Sequence, residues 1–104
     1  MESFYLIATL KPRHDKLAEA AAALHELMLA TKAEAGCELY DLVMGADGFE
    51  GSSSVDPGDW LMIEKWASRA DWDAHMASAH VRHMGSVQNE FLREPTELRF
   101  YVPN

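Results

Sequence analysis

The sequence predicts an α+β protein of ferredoxin-like βαββαβ order. Three observations carry this expectation. Apolar side chains alternate with a period of two in four stretches, Phe4–Lys11, Cys37–Met44, Trp60–Trp66 and Thr96–Val102, which is the spacing of strands. Between the first and second stretches, and again between the third and fourth, apolar residues return every three or four positions, as on a helix face. The 104 residues, 48% hydrophobic and 25% charged, suit one domain spanning residues 1–104, because a chain of this length buries roughly 65% of its unfolded surface.

In the first strand Phe4, Leu6, Ala8 and Leu10 share one face and Tyr5, Ile7 and Thr9 the other, so both faces are apolar. Pro12 removes a ladder donor and ends it. From His14 to about Ala33, Leu17, Ala20, Ala21, Leu24, Leu27, Met28 and Thr31 form a helical stripe, with His25 and Glu26 on its wet side. Gly36 follows as a left-handed terminator. The second strand, Cys37–Met44, places Tyr40, Leu42 and Met44 on one face.

The pattern then stops. Residues 45–58 are rich in glycine and serine and too long for a tight hairpin, which leaves an idle excursion or a lid carried by Phe49. The third strand sets Trp60, Met62, Glu64 and Trp66 on one face. A carboxylate there must be paired, hydrogen-bonded or protonated. Ser68 is placed to cap a short helix ending near Met76, on which Trp72 and His75 are three apart. A second segment runs from His80 to about Arg93 and buries Val81, Met84, Val87 and Phe91, with His83 at its edge. Pro95 closes it before the last strand, which alternates Leu98, Phe100 and Val102 with Glu97, Arg99 and Tyr101.

Helices on one side of such a sheet leave its other side bare. Because the first and third strands are apolar on both faces, a homodimer through the sheet face is expected. The net charge of −8, with no cluster of Lys and Arg, argues against nucleic acid. No apolar run approaches the roughly 20 residues that span a bilayer, so no membrane partner is expected. Met1-Glu2-Ser3-Phe4 lacks the features of a secretory signal, which points to a cytoplasmic location. The lone Cys37 cannot form an internal disulfide and reads as a small strand residue.

The run Glu64-Lys65-Trp66-Ala67-Ser68, followed by Asp73-Ala74-His75-Met76 and Ser78-Ala79-His80, resembles the antibiotic biosynthesis monooxygenase domain, including its small quinol monooxygenase members. Ala8-Thr9-Leu10-Lys11-Pro12, Ala35-Gly36-Cys37 with Tyr40 after it, and Leu98-Arg99-Phe100-Tyr101 extend the likeness over nearly the whole chain. The resemblance implies a dimeric α+β barrel with a pocket between sheet and helices. It implies oxidation of an electron-rich phenol or quinol by molecular oxygen with no cofactor: no flavin, haem or metal. The family also holds haem-degrading enzymes and an isomerase-like branch acting on a small phosphorylated molecule. The haem-degrading branch is associated with an asparagine on the first strand, and Phe4–Lys11 has none. The loop at 45–58 is also longer than is usual in the family.

For an oxygenase of this kind the substrate phenol must lose a proton. Its pKa near 10 makes ionisation at pH 7 cost about 4 kcal/mol. His75 and His80 are the candidate general bases. Trp66 and Tyr40 are candidate walls for a flat aromatic or quinol-like molecule. Glu64 is a candidate to orient a histidine or to accept a proton itself. Trp60 and Trp72 read as scaffold, His14 as surface, and Lys65 and Arg69 as outward-pointing. A metal site built from His75, His80, His83 and Glu64 has suitable donors but neither a His-x-x-x-His pair nor a second cysteine, so no metal is expected. A proton-transfer enzyme using the same groups, or a dimeric small-ligand-binding or stress-response module without catalysis, are the alternatives.

Overall fold

The computed structural model describes residues 2–53 and 56–104. Four strands, β1 (Phe4–Leu10), β2 (Cys37–Met44), β3 (Trp60–Trp66) and β4 (Glu97–Tyr101), form one sheet of order β2-β3-β1-β4 with every neighbouring pair antiparallel. With helices α1 (Leu17–Lys32), α2 (Arg69–Met76) and α3 (Ala79–Val87), this is the ferredoxin-like α+β arrangement that the alternation of periods predicts.

The core lies between the helices and one sheet face. Phe4, Leu6, Ala8 and Leu10 of β1 and Trp60, Met62 and Trp66 of β3 meet Ala20, Leu24 and Leu27 of α1, all buried. The opposite face shows Tyr5, Ile7, Val43, Leu61 and Ile63 half-buried or exposed. Among the described residues no helix is long and apolar enough to cross a membrane.

Several boundaries differ from the sequence expectation. The first helix begins at Leu17 rather than His14, after a turn closed by the Lys16 N–H on the Arg13 carbonyl, and Leu17 is 45% exposed. The segment expected as helix from His80 to Arg93 keeps α-helical form only to Val87, then tightens into a single 3₁₀ turn at Gln88–Glu90. Gly85 and Ser86 weaken the helix, and Pro12 bridges Leu92 while the Arg93 N–H reaches the Lys11 carbonyl. The chain is thus drawn off the helix axis. β4 is an edge strand exposed along its whole length. Phe49 is 70% exposed and lines no described cavity; Ser54 and Val55 of the same loop lie outside the described residues.

A polar knot closes the far end of the sheet. The Asp59 carboxylate takes Lys11 Nζ at 2.9 Å and Arg93 Nη2 at 2.8 Å, and Arg93 Nη1 donates to the Pro12 carbonyl.

Candidate functional site

Two turns bring the polar groups together. Gly36, with φ of 80°, ends the α1–β2 connection in the left-handed region, and a Cβ there would collide with the Asp71 carboxylate at the start of α2. Its carbonyl accepts from the Ala67 N–H at 2.8 Å. The turn carrying Glu34 is thereby clamped to the end of β3. The second turn is the break between α2 and α3. Ser68 caps α2, its Oγ accepting from the Asp71 N–H, as the sequence suggests. Ser78 caps α3 and its hydroxyl donates to the His75 carbonyl at 2.6 Å. This break turns His75, in the last turn of α2, and His80, in the first turn of α3, toward one another, with ring centroids 6.0 Å apart.

Both histidines hold the same carboxylate oxygen. Glu34 Oε2 lies 2.7 Å from His75 Nδ1 and 3.0 Å from His80 Nε2. A carboxylate only accepts, so an ionised Glu34 fixes a proton on each of these nitrogens. His75 is 3% exposed. Burial pushes its pKa below the usual value while Glu34 opposes the shift, which favours neutral imidazole with its Nε2 lone pair free.

Beneath His75 lies the strand face. Glu64 and Trp66 are two apart on β3 and therefore share that face, and Trp66 Nε1 donates to Glu64 Oε1 at 2.9 Å. Across the ladder Glu64 stands beside Tyr40 of β2 and Leu6 of β1. Burial pushes the Glu64 pKa up to about 7, the Trp66 hydrogen bond pulling the other way. The Tyr40 phenol is also pushed up, first by burial and then by Glu64, so it stays protonated. His75 lies with its ring centroid 4.7 Å from Trp66 and 5.6 Å from Tyr40. The Cys37 thiol is pushed up to about 11, chiefly by burial, which keeps it protonated near neutral pH.

These groups border a cavity of about 280 Å³ between sheet and helices, near the lower limit for small-molecule sites. His75, Glu64 and Tyr40 line it with Trp72, and the remaining wall is largely apolar, including Met62, Met76 and Met84. The structure therefore brings three of the sequence candidates to one cavity. Trp66 and His80 stand elsewhere. Trp66 is fully buried and does not line the cavity, touching it only through Glu64 and His75. His80 lies on the solvent side of His75, its side chain 27% exposed.

Sequence reasoning missed two residues. Glu34, not Glu64, orients the histidines, and it lies 41 and 46 positions from them. No local pattern announces that contact. Trp72, read as scaffold, forms part of the cavity wall and packs edge-on against Phe100 at 5.3 Å. Its three-residue spacing from His75 is the signal that places it there.

The family model described as antibiotic biosynthesis monooxygenase matches residues 3–86. Rv0793 of Mycobacterium tuberculosis is 31% identical over 98 residues, covering 94% of this chain and 88% of that protein. Its solved structure aligns with a TM-score of 0.83 over 98% of this chain and 95% of that one, at 28% identity. SO0527 of Shewanella oneidensis aligns at 0.80 with 26% identity, over 96% of this chain and 89% of that one. A conserved protein of Methanosarcina mazei aligns at 0.85 over 100% and 95%, and at 22% identity that likeness speaks to the fold alone.

Proposed function

Because the chain belongs to the antibiotic biosynthesis monooxygenase family, we propose that it is a cofactor-independent monooxygenase, oxidising a quinol or other electron-rich phenol with molecular oxygen. One observation carries this reading. A single apolar cavity holds a histidine whose Nδ1 is tied to a carboxylate and a glutamic acid whose pKa is pushed up to about 7.

In this reading His75 Nε2 takes the phenolic proton. Glu34 then faces an imidazolium across 2.7 Å, which supplies part of the roughly 4 kcal/mol needed to hold a phenolate at pH 7. His80 acts as a positioning residue, fixing Glu34 from the other side. The phenolate passes an electron to oxygen, and the resulting pair combines to form a C–O bond. Protonated Glu64 delivers its proton as the O–O bond breaks and the ring carbon loses its hydrogen. For a hydroquinone the sum is hydroquinone plus O₂ giving hydroxyquinone plus water, with no external reductant. Tyr40 donates a hydrogen bond and Trp72 offers a ring face. A phosphorylated substrate suits this cavity poorly, since its charge would lie among apolar side chains with no Lys or Arg in the lining.

The bare sheet face supports a homodimer. Ile7, Ile63, Leu61 and Val43 form an apolar strip edged by the Lys65–Glu38 and Lys32–Asp41 ion pairs, which suits sheet-on-sheet packing with a polar rim.

The test is oxygen uptake by chelator-treated protein with a panel of hydroquinones. Wild type is expected to exceed the uncatalysed rate, and His75→Ala to lose about 10²–10⁴-fold in kcat. His80→Ala is expected to lose less. Uptake at the uncatalysed rate across the panel, or an unimpaired His75→Ala, would overturn the proposal.

A further inference from the structure

The solvent side of His75 carries a second arrangement. Glu34 Oε2, His75 Nδ1 and His80 Nε2 all lie within 4.8 Å of one another. We propose that these three side chains bind a divalent transition-metal ion of the zinc type, and that the ion switches off Nε2 of His75, the nitrogen that Glu34 leaves free.

Two imidazoles and one carboxylate with no thiolate are donors for zinc, nickel or cobalt rather than for magnesium or calcium. In a tetrahedral site with bonds of about 2.0–2.1 Å, neighbouring donor atoms stand about 3.3 Å apart. The observed Glu34 contacts of 2.7 and 3.0 Å need to open by roughly half an ångström, and the two histidine nitrogens, which lie within 4.8 Å of one another, need to close toward that spacing. The scaffold is fixed: Ser78 sets the break that faces the two rings, and the Gly36 turn holds Glu34. Access is one-sided. The side chains of His80 and Glu34 are 27% and 18% exposed, while that of His75 is 4% exposed, so an ion enters from solvent and keeps its fourth position toward water.

The inhibitory half rests on His75 as the general base. An ion on Nδ1 needs the lone pair there, so in a neutral ring the proton moves from Nδ1 to Nε2. The proton stays on the imidazole, nothing is oxidised or reduced, and Nε2 becomes a donor. It can no longer take a phenolic proton.

Isothermal titration of chelator-treated protein with Zn²⁺, paired with the visible absorption of the Co²⁺ form, tests the site. The expected result is one ion per chain, with binding weakened more than about tenfold in both Glu34→Gln and His80→Ala, since loss of even an outer-shell partner costs 10–100-fold. His83→Ala, on the same helix but outside the cluster, should bind as wild type does. Ring resonances of wild type give a readout independent of any variant: those of His75 and His80 should move with Zn²⁺, and those of His14, His25 and His83 should not. Absence of binding, or binding that survives both ligand variants, overturns the site. Binding as expected with oxygen uptake undiminished retains the site and overturns the switch, together with the role of His75 Nε2 as base.

Discussion

Replacing Glu64 with glutamine removes one titration and keeps the shape. The residue is 5% exposed, and burial pushes its pKa from 4.5 up to about 7. Between those values the native state keeps a proton that the unfolded chain has lost, so wild-type stability falls as pH rises. The slope is about 1.4 kcal/mol per pH unit, which over the interval amounts to about 3 kcal/mol. Above pH 7 both states are ionised and the loss is complete. His75 works in the opposite sense: its lowered pKa makes stability fall as pH drops below the ordinary histidine range. The difference between Glu64→Gln and wild type cancels His75 and isolates Glu64. Urea unfolding at matched protein concentration should show the variant gaining about 3 kcal/mol relative to wild type between pH 4.5 and pH 8. The glutamine carbonyl can still accept from Trp66 Nε1, so the gain is not masked by a lost hydrogen bond. A difference that stays flat across this range refutes the account of Glu64 as a buried acid.

Trp66→Phe removes the indole donor from Glu64 Oε1. It should cost about 1–3 kcal/mol in urea unfolding and raise the Glu64 pKa further, which carboxyl carbon shifts followed against pH would detect. Gly36→Ala forces a Cβ into the left-handed region and against Asp71; a cost of about 1–3 kcal/mol is expected in chemical unfolding, and an unchanged midpoint would mean the clamp on the Glu34 turn is slack. Ile63→Glu places a charge in the apolar strip of the outer sheet face and should convert a wild-type dimer to monomer in sedimentation equilibrium, whereas equal masses for the two proteins would argue against that interface.

The architecture was legible because the periods are local. Alternation in Phe4–Leu10 and Trp60–Trp66 names strands whatever lies beside them, and Ser68 announces the start of α2 by a side chain that can cap only there. The failures are equally physical. Periodicity carries the α-helix past Val87 because Phe91 continues its apolar stripe, yet Pro12 and Lys11, some 80 residues away, capture Leu92 and Arg93. Periodicity reports which side of a segment is apolar, not what competes for its backbone. The same limit governs the site. Glu64 draws notice as a charge on an apolar strand face, but Glu34 sits in the turn after α1, where a carboxylate is unremarkable, and only folding brings it to His75 and His80.

In the proposed mechanism, that division lets a small apolar cavity set up an acid and a base together. Burial disfavours whichever form is charged, so it lowers the pKa of His75 and raises that of Glu64. One cause thus moves two groups, separated by about two pKa units in water, in opposite directions until their order is reversed. The hydrogen bonds then temper each shift: Trp66 restrains Glu64, and Glu34 restrains His75. Glu34 reaches the ring from its solvent side, which leaves Nε2 unclaimed on the other. Had Glu64 been the partner of His75, the two would have formed an ion pair, driving the acid's pKa down and the base's up. Keeping the orienting carboxylate on a different element, outside the cavity, is what allows the inner one to stay protonated beside a neutral histidine.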